Sequence, residues 1–273
     1  MTLPSTYRSF IGVLSPYSAV ATHSHLPTNR LSSPCVYRSE GGFIIETTKF
    51  DHLFTTAAPR IAAGTHQRDE LPREGGRWPL SVVLRPAPES RLSHALDAVT
   101  QEAAELAGPG HWQTGQLGSA HLTVRALEPR REHLPADDPV VARYHSALHR
   151  ATTRAQWPIG FRVTGLTLTA GTVMACAEPL DAAADAFSDH VTHELGPDAW
   201  YETERRDIWY LNLLHFTDDI AAPDALIEWV GDRRTTSLGT MLIEAPELVR
   251  SEYRPGPRPH MGPIALGDAV RAL

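Results

Sequence analysis

From Trp78 onward the sequence alternates short runs of two-residue apolar periodicity with longer runs of helical periodicity, which confines the chain to an α+β fold. Pro79–Arg85 (PLSVVLR) reads as a strand. Glu89–Leu106 reads as an amphipathic helix carrying Leu92, Leu96, Val99, Ala103 and Leu106, stopped by Gly108-Pro109. Ser119–Leu127 is a strand, and Asp138–Thr153 is a helix with Val141, Tyr144 and Leu148 on one face. Ile159–Leu168 and Thr172–Glu178 form a hairpin around Ala170-Gly171, followed by a helix over Asp181–Leu195. Asp207–Thr217 is a long strand, Pro223–Val230 a helix with proline in its first turn, and Leu238–Ala245 and Leu248–Tyr253 are late strands. Short connections favour antiparallel pairing.

Residues 1–76 differ. They are rich in Ser, Thr, Pro and Gly, with one convincing strand at Gly42–Thr48 and a short helix or strand around Phe50–Phe54. Ala63–Arg77 reads as a polar linker. The expected organisation is an extension of unknown role over 1–76, a functional domain over 77–253 and a proline-rich tail over 254–273 that wraps the surface.

The 273 residues carry a formal net charge of −7, which argues against a generally basic, nucleic-acid-coating surface. No stable nucleic-acid complex is expected, although a local basic pocket for one phosphate is compatible with that charge. Cys35 and Cys176 are too few for a disulfide framework or a four-thiolate metal site, and read as buried free thiols in a reducing compartment. The N-terminus makes a poor signal peptide, and no apolar run approaches the length of a membrane helix. The expectation is a soluble, cytoplasmic monomer without membrane partners.

Fourteen histidines make a His-x-Thr tripeptide weak evidence by itself, and three occur: His121-Leu122-Thr123, His190-Val191-Thr192 and His215-Phe216-Thr217. Secondary structure separates them. In a strand, residues i and i+2 share a face, so His121 with Thr123 and His215 with Thr217 can each present an imidazole and a hydroxyl to one ligand. His190 falls in a helix, where i and i+2 project about 200° apart, so it serves as an internal decoy. Alternation also places Arg125 with His121 and Thr123, and Trp209, Leu211 and Leu213 on the face that ends in His215 and Thr217. An imidazole, hydroxyl and guanidinium together are costly to bury without a ligand and suit an anion. With an unperturbed pKa of about 6.5, one ring can be neutral while the other is protonated, which serves phosphodiester cleavage by paired base and acid. The sequence does not say which ring is which.

At these residues the chain resembles the two-histidine phosphoesterase superfamily, and in particular the bacterial RNA 2′,3′-cyclic phosphodiesterases, also called 2′–5′ RNA ligases. The resemblance runs from about Trp78 to Tyr253, through PLSVVLRP, SAHLTVRAL, FRVTGLTLTAGTVMACAEPL and IWYLNLLHFT, in matching order and spacing. It implies a bilobal α+β body with two antiparallel sheets lining a central cleft and helices outside. It also implies catalysis by His121 and His215, phosphate contacts from Thr123 and Thr217, and no metal or cofactor. The substrate would be a small nucleotide, an RNA end or a phosphorylated metabolite. One departure stands out: Asp218 and Asp219 follow Thr217, where the family usually has an apolar residue. Two carboxylates there would raise the pKa of His215 or repel a polyanion. Competing readings are a metal-dependent hydrolase, for which no HExxH or regular ligand spacing appears, a non-catalytic phosphate-binding protein, and a pathway-specific esterase on a small metabolite.

Overall fold

A computed structural model describes residues 48–267. Eight strands form one antiparallel sheet: β1 (Leu80–Leu84), β2 (Leu122–Glu128), β3 (Ile159–Leu168), β4 (Thr172–Pro179), β5 (Trp209–His215), β6 (Gly239–Ile243), β7 (Glu247–Arg254) and β8 (His260–Ala265). Their order across the sheet is β6-β3-β4-β5-β2-β1-β7-β8. The α+β class and the antiparallel pairing agree with the sequence, but the two expected sheets are one. Each four-stranded half is internally laddered, and the halves join where β2 meets β5 through the single register pair Leu122↔Leu211.

Among the described residues five α-helices complete the fold: α1 (Lys49–Ala62), α2 (Arg91–Ala107), α3 (Pro139–Arg154), α4 (Ala183–Leu195) and α5 (Pro223–Asp232). Ser90 caps α2, its hydroxyl accepting from the Ser93 amide at 3.1 Å. Asp138 caps α3 by accepting from the amides of Val140 and Val141 at 2.9 and 3.1 Å. Burial of α-helical and strand side chains such as Leu96, Leu148, Phe161, Phe187 and Leu211 builds one continuous core. Each such side chain contributes about 1.5–3 kcal/mol on leaving water.

Residues 49–267 form one compact unit, and residues 49–76 are part of it. The segment around Phe50–Phe54 is helical, and α1 buries Leu53, Ala57 and Ile61 at four-residue spacing. The stretch read as a polar linker is pinned along the ends of β4 and β5: the amides of Gln67 and Asp69 donate to the carbonyls of Ala170 and Phe216, both at 2.7 Å. Polar composition marked it as exposed, but its backbone is held by those carbonyls. The expected strand at Gly42–Thr48, apart from Thr48, and Cys35 lie outside the described residues. In the proline-rich tail, His260–Ala265 is a strand paired with β7, and Pro263 is tolerated because β8 is a sheet edge. No helix among the described residues is long and apolar enough to cross a membrane.

Candidate active site

Two β-bulges decide what the site contains. In the β4–β5 ladder, Val173 pairs with Leu214 and the next residue, Met174, pairs with Asn212, leaving Leu213 as an extra residue on β5. A bulge breaks strict alternation. Thr172 and Met174 share a face of β4, so their partners His215 and Asn212 share a face of β5. His215 therefore does not follow Leu211 and Leu213, as alternation alone requires, but joins Tyr210 and Asn212. The pair Leu122↔Leu211 places His121 and Thr123 on that same face. The bulge thus brings the two histidines onto one side of the sheet.

The second bulge acts oppositely. On the β1–β2 ladder Val83 pairs with Thr123 but Val82 pairs with Arg125, so Val124 is extra. Arg125 is turned to the other face, under α4. Its guanidinium, 5% exposed, donates to Thr192 Oγ1 at 2.8 Å, to the Ala199 carbonyl at 3.0 Å and to the Glu202 carbonyl. Arg125 therefore does not share the face of His121 and Thr123, as alternation alone requires. Arg125 ties β2 to α4 and to the loop beyond it.

Both histidines are held by Nδ1. His121 Nδ1 donates to the Ser119 carbonyl at 2.8 Å. His215 Nδ1 lies 2.7 Å from Asp69 Oδ2, and Asp69 is also paired with Arg77. His215 is 1% exposed, and its Nε2 has no hydrogen-bond partner among the described residues. The Trp78 ring rests against it, centroids 4.8 Å apart. Trp78 itself has φ 75°, a left-handed conformation that bulky residues rarely adopt and that clusters at functional sites.

Burial pushes the His121 imidazolium below its usual range; the Ser119 carbonyl opposes this, while Arg85, His215 and Arg206 add to it. Burial, then Arg77, pushes His215 well below its usual range. The rise expected from Asp218 and Asp219 is not seen. Asp219 pairs with Arg68, and the Asp218 carbonyl accepts from His66 Nε2 at 2.9 Å. Arg206 is raised: burial alone would lower it, but the Tyr210 and Glu202 oxygens outweigh burial. Its contacts are Glu202 Oε1 at 2.9 Å and Tyr210 Oη at 3.3 Å. Arg85 pairs with Glu247 on β7 and donates to the Gly118 carbonyl.

The two threonines part company. Thr123 is half-buried on the histidine face, and its hydroxyl makes no hydrogen bond among the described residues. Thr217 lies beyond the end of β5 and is exposed at its hydroxyl, which donates to the Gly110 carbonyl at 3.0 Å. Its amide donates to His111 Nδ1 at 3.1 Å. His190 lies in α4, as expected of the decoy. Asp69, Arg77, Trp78, Arg85 and Arg206 were not among the sequence candidates. Only Arg85 left a readable signal, at the polar end of an apolar strand. Among the described residues, no three His, Cys, Asp or Glu side chains converge as metal ligands. Cys176 is buried, and burial pushes its thiol up to about 12.

No family model matches the chain, and no curated protein matches it. Similar solved structures exist. TT0787 of Thermus thermophilus is 19% identical over 71% of this chain and 98% of its own, with a TM-score of 0.48. E. coli LigT complexed with 3′-AMP is 13% identical over 68% and 95%, at 0.43. ATU0111 of Agrobacterium tumefaciens, a conserved protein of unknown function, is 17% identical over 76% and 97%, at 0.45.

Proposed function

We propose that this protein is a phosphoesterase that opens a cyclic phosphate or cleaves a phosphodiester by proton transfer at His121 and His215. The observation that carries this reading is the shared sheet face of two imidazoles, each engaged through Nδ1, which leaves Nε2 for chemistry. The Arg206 and Arg85 guanidiniums beside His121 supply positive charge for an anion, and the Thr123 hydroxyl is available to a non-bridging oxygen. Both rings rest neutral near pH 7. An arriving phosphate anion favours imidazolium, so one ring takes up a proton as substrate binds. The neutral ring then accepts a proton from water as its oxygen attacks phosphorus. The ester P–O bond breaks, and the charged ring delivers its proton to the leaving oxygen. The substrate class is a small nucleotide, an RNA end or a phosphorylated metabolite.

The test is a turnover screen of the purified protein, in EDTA, across nucleoside 2′,3′-cyclic phosphates, a 2′–5′ dinucleotide and ADP-ribose cyclic phosphate. Hydrolysis of at least one is expected. Loss in EDTA with rescue by a divalent metal would favour a metal-dependent hydrolase. A second reading, anion binding without turnover, draws on the near-complete burial of His215 behind Trp78. Calorimetric binding of the same compounds with none consumed would select it.

A further inference from the structure

We infer that Asp69 is the positioning residue of His215 and makes the two histidines inequivalent, its carboxylate fixing the His215 tautomer and compensating any proton gained at Nε2. This rests on the phosphoesterase reading. The contact is 2.7 Å long and sealed, the side chains being 3% and 1% exposed. An ionised carboxylate only accepts hydrogen bonds, so the proton between them sits on His215 Nδ1 and Nε2 carries the lone pair. Asp69 is held from three directions: Oδ2 on the imidazole, Oδ1 on Arg77, and its amide on the carbonyl of Phe216, the residue after His215. Arg77 keeps a nearly fully buried carboxylate from being left unpaired, which is otherwise strongly destabilising.

His121 has no such partner among the described residues. Its Nδ1 meets the neutral carbonyl of Ser119, and the groups facing it, Arg85, Arg206 and His215, oppose a positive ring. At His215 the facing groups are Asp69, Arg77, His121 and the Trp78 ring. Proton gain at His215 creates an Arg77–Asp69–His215 row of alternating charge, and proton gain at His121 creates an uncompensated cation. An acid/base scheme needs such a difference, since two equivalent rings would compete for one proton.

The experiment is nitrogen-detected NMR of the histidine rings in the full chain, together with kinetics of Asp69→Asn. In the wild type, His215 should be the Nδ1–H tautomer with a strongly downfield proton. In Asp69→Asn that proton should shift upfield or vanish, and kcat should fall about 10²–10⁴-fold with little change in KM, since a misoriented tautomer impairs proton transfer rather than binding. The pH profile should move to lower pH, because removing a carboxylate disfavours imidazolium. A wild-type Nε2–H tautomer overturns the inference even where the variant fails to fold. So does a folded Asp69→Asn protein with an unchanged kcat and pH profile. Absence of turnover on every phosphoester, with the Nδ1 proton present, removes the esterase reading and leaves the Asp69–His215 placement standing.

Discussion

Asn212 and His215 share a face of β5 although they are three positions apart, because Leu213 is the extra residue of a bulge. Regular alternation would put an odd spacing on opposite faces and leave His215 with Leu211, behind the sheet from His121. The placement of His121 and His215 on one face thus depends on one bulged residue. Leu213 is completely buried, and its carbonyl accepts from the Gly115 amide at 2.9 Å.

The first expectation follows for the pair itself. His121→Ala and His215→Ala should each lower turnover by about 10²–10⁴-fold, the usual contribution of general acid/base catalysis. Circular dichroism should show both variants folded. A near-wild-type rate in either folded variant removes that histidine from the chemistry.

The threonines give a sharper contrast, because the two motifs look alike in sequence. Thr123→Val should weaken catalysis, since its hydroxyl is unengaged on the histidine face. Thr217→Val should leave the rate within a few-fold, since its hydroxyl is already bonded to the Gly110 carbonyl. Steady-state kinetics on one cyclic phosphate separates the two, and equal losses would contradict the geometry.

The α+β class, helices α2 to α5 and most strands are legible because they depend on local periodicity and on stops such as Gly108-Pro109. Helical placement of His190 was legible for the same reason. The bulges were not. An extra residue at Val124 or Leu213 is specified by cross-strand packing, and nothing in LTVRALE or WYLNLLH marks it. Asp69 was hidden differently. Its segment has no periodicity, and its role depends on two backbone hydrogen bonds to partners more than a hundred residues away.

Arg125 should behave as a structural residue. Arg125→Ala strips donors from Thr192 Oγ1 and the carbonyls of Ala199 and Glu202, and hydrogen bonds from charged donors are worth about 1.5–3 kcal/mol. Chemical denaturation should show a loss of that order at unchanged m-value, with KM for substrate little altered. A large rise in KM in a variant of wild-type stability would return Arg125 to the phosphate.

Acid should destabilise the protein earlier than ordinary carboxylate titration does. His111, His121 and His215 are all held below the ordinary histidine value of 6.5 in the folded chain, each first by burial. The unfolded chain therefore binds more protons as pH drops below about 6.5, and stability falls with it. Above that pH all three are neutral in both states and their contribution is fully present. Melting temperature measured from about pH 8 to about pH 5 should begin to decline near the unperturbed histidine value of about 6.5. A flat profile across that window would contradict the buried, neutral state of these rings.

A truncation to residues 77–273 tests whether residues 49–76 are an appendage. The cut removes α1, with Leu53 and Ile61 at 8% and 1% exposure, and with it the 2.8 Å bond from Thr167 Oγ1 to the Phe50 carbonyl. It also removes Asp69. Stripping one buried Leu or Ile to Ala costs about 2–5 kcal/mol, and a domain holds only about 5–15 kcal/mol in all. Two such losses together approach or exceed the whole stability of a typical domain. The uncovered apolar surface on β3 and α5 adds an aggregation hazard. The truncated chain should therefore be unfolded or molten, with poor near-ultraviolet dichroism and no turnover. A folded, cooperatively melting 77–273 protein would show that the core is complete without α1, and turnover by it would show that the His215 site forms without Asp69.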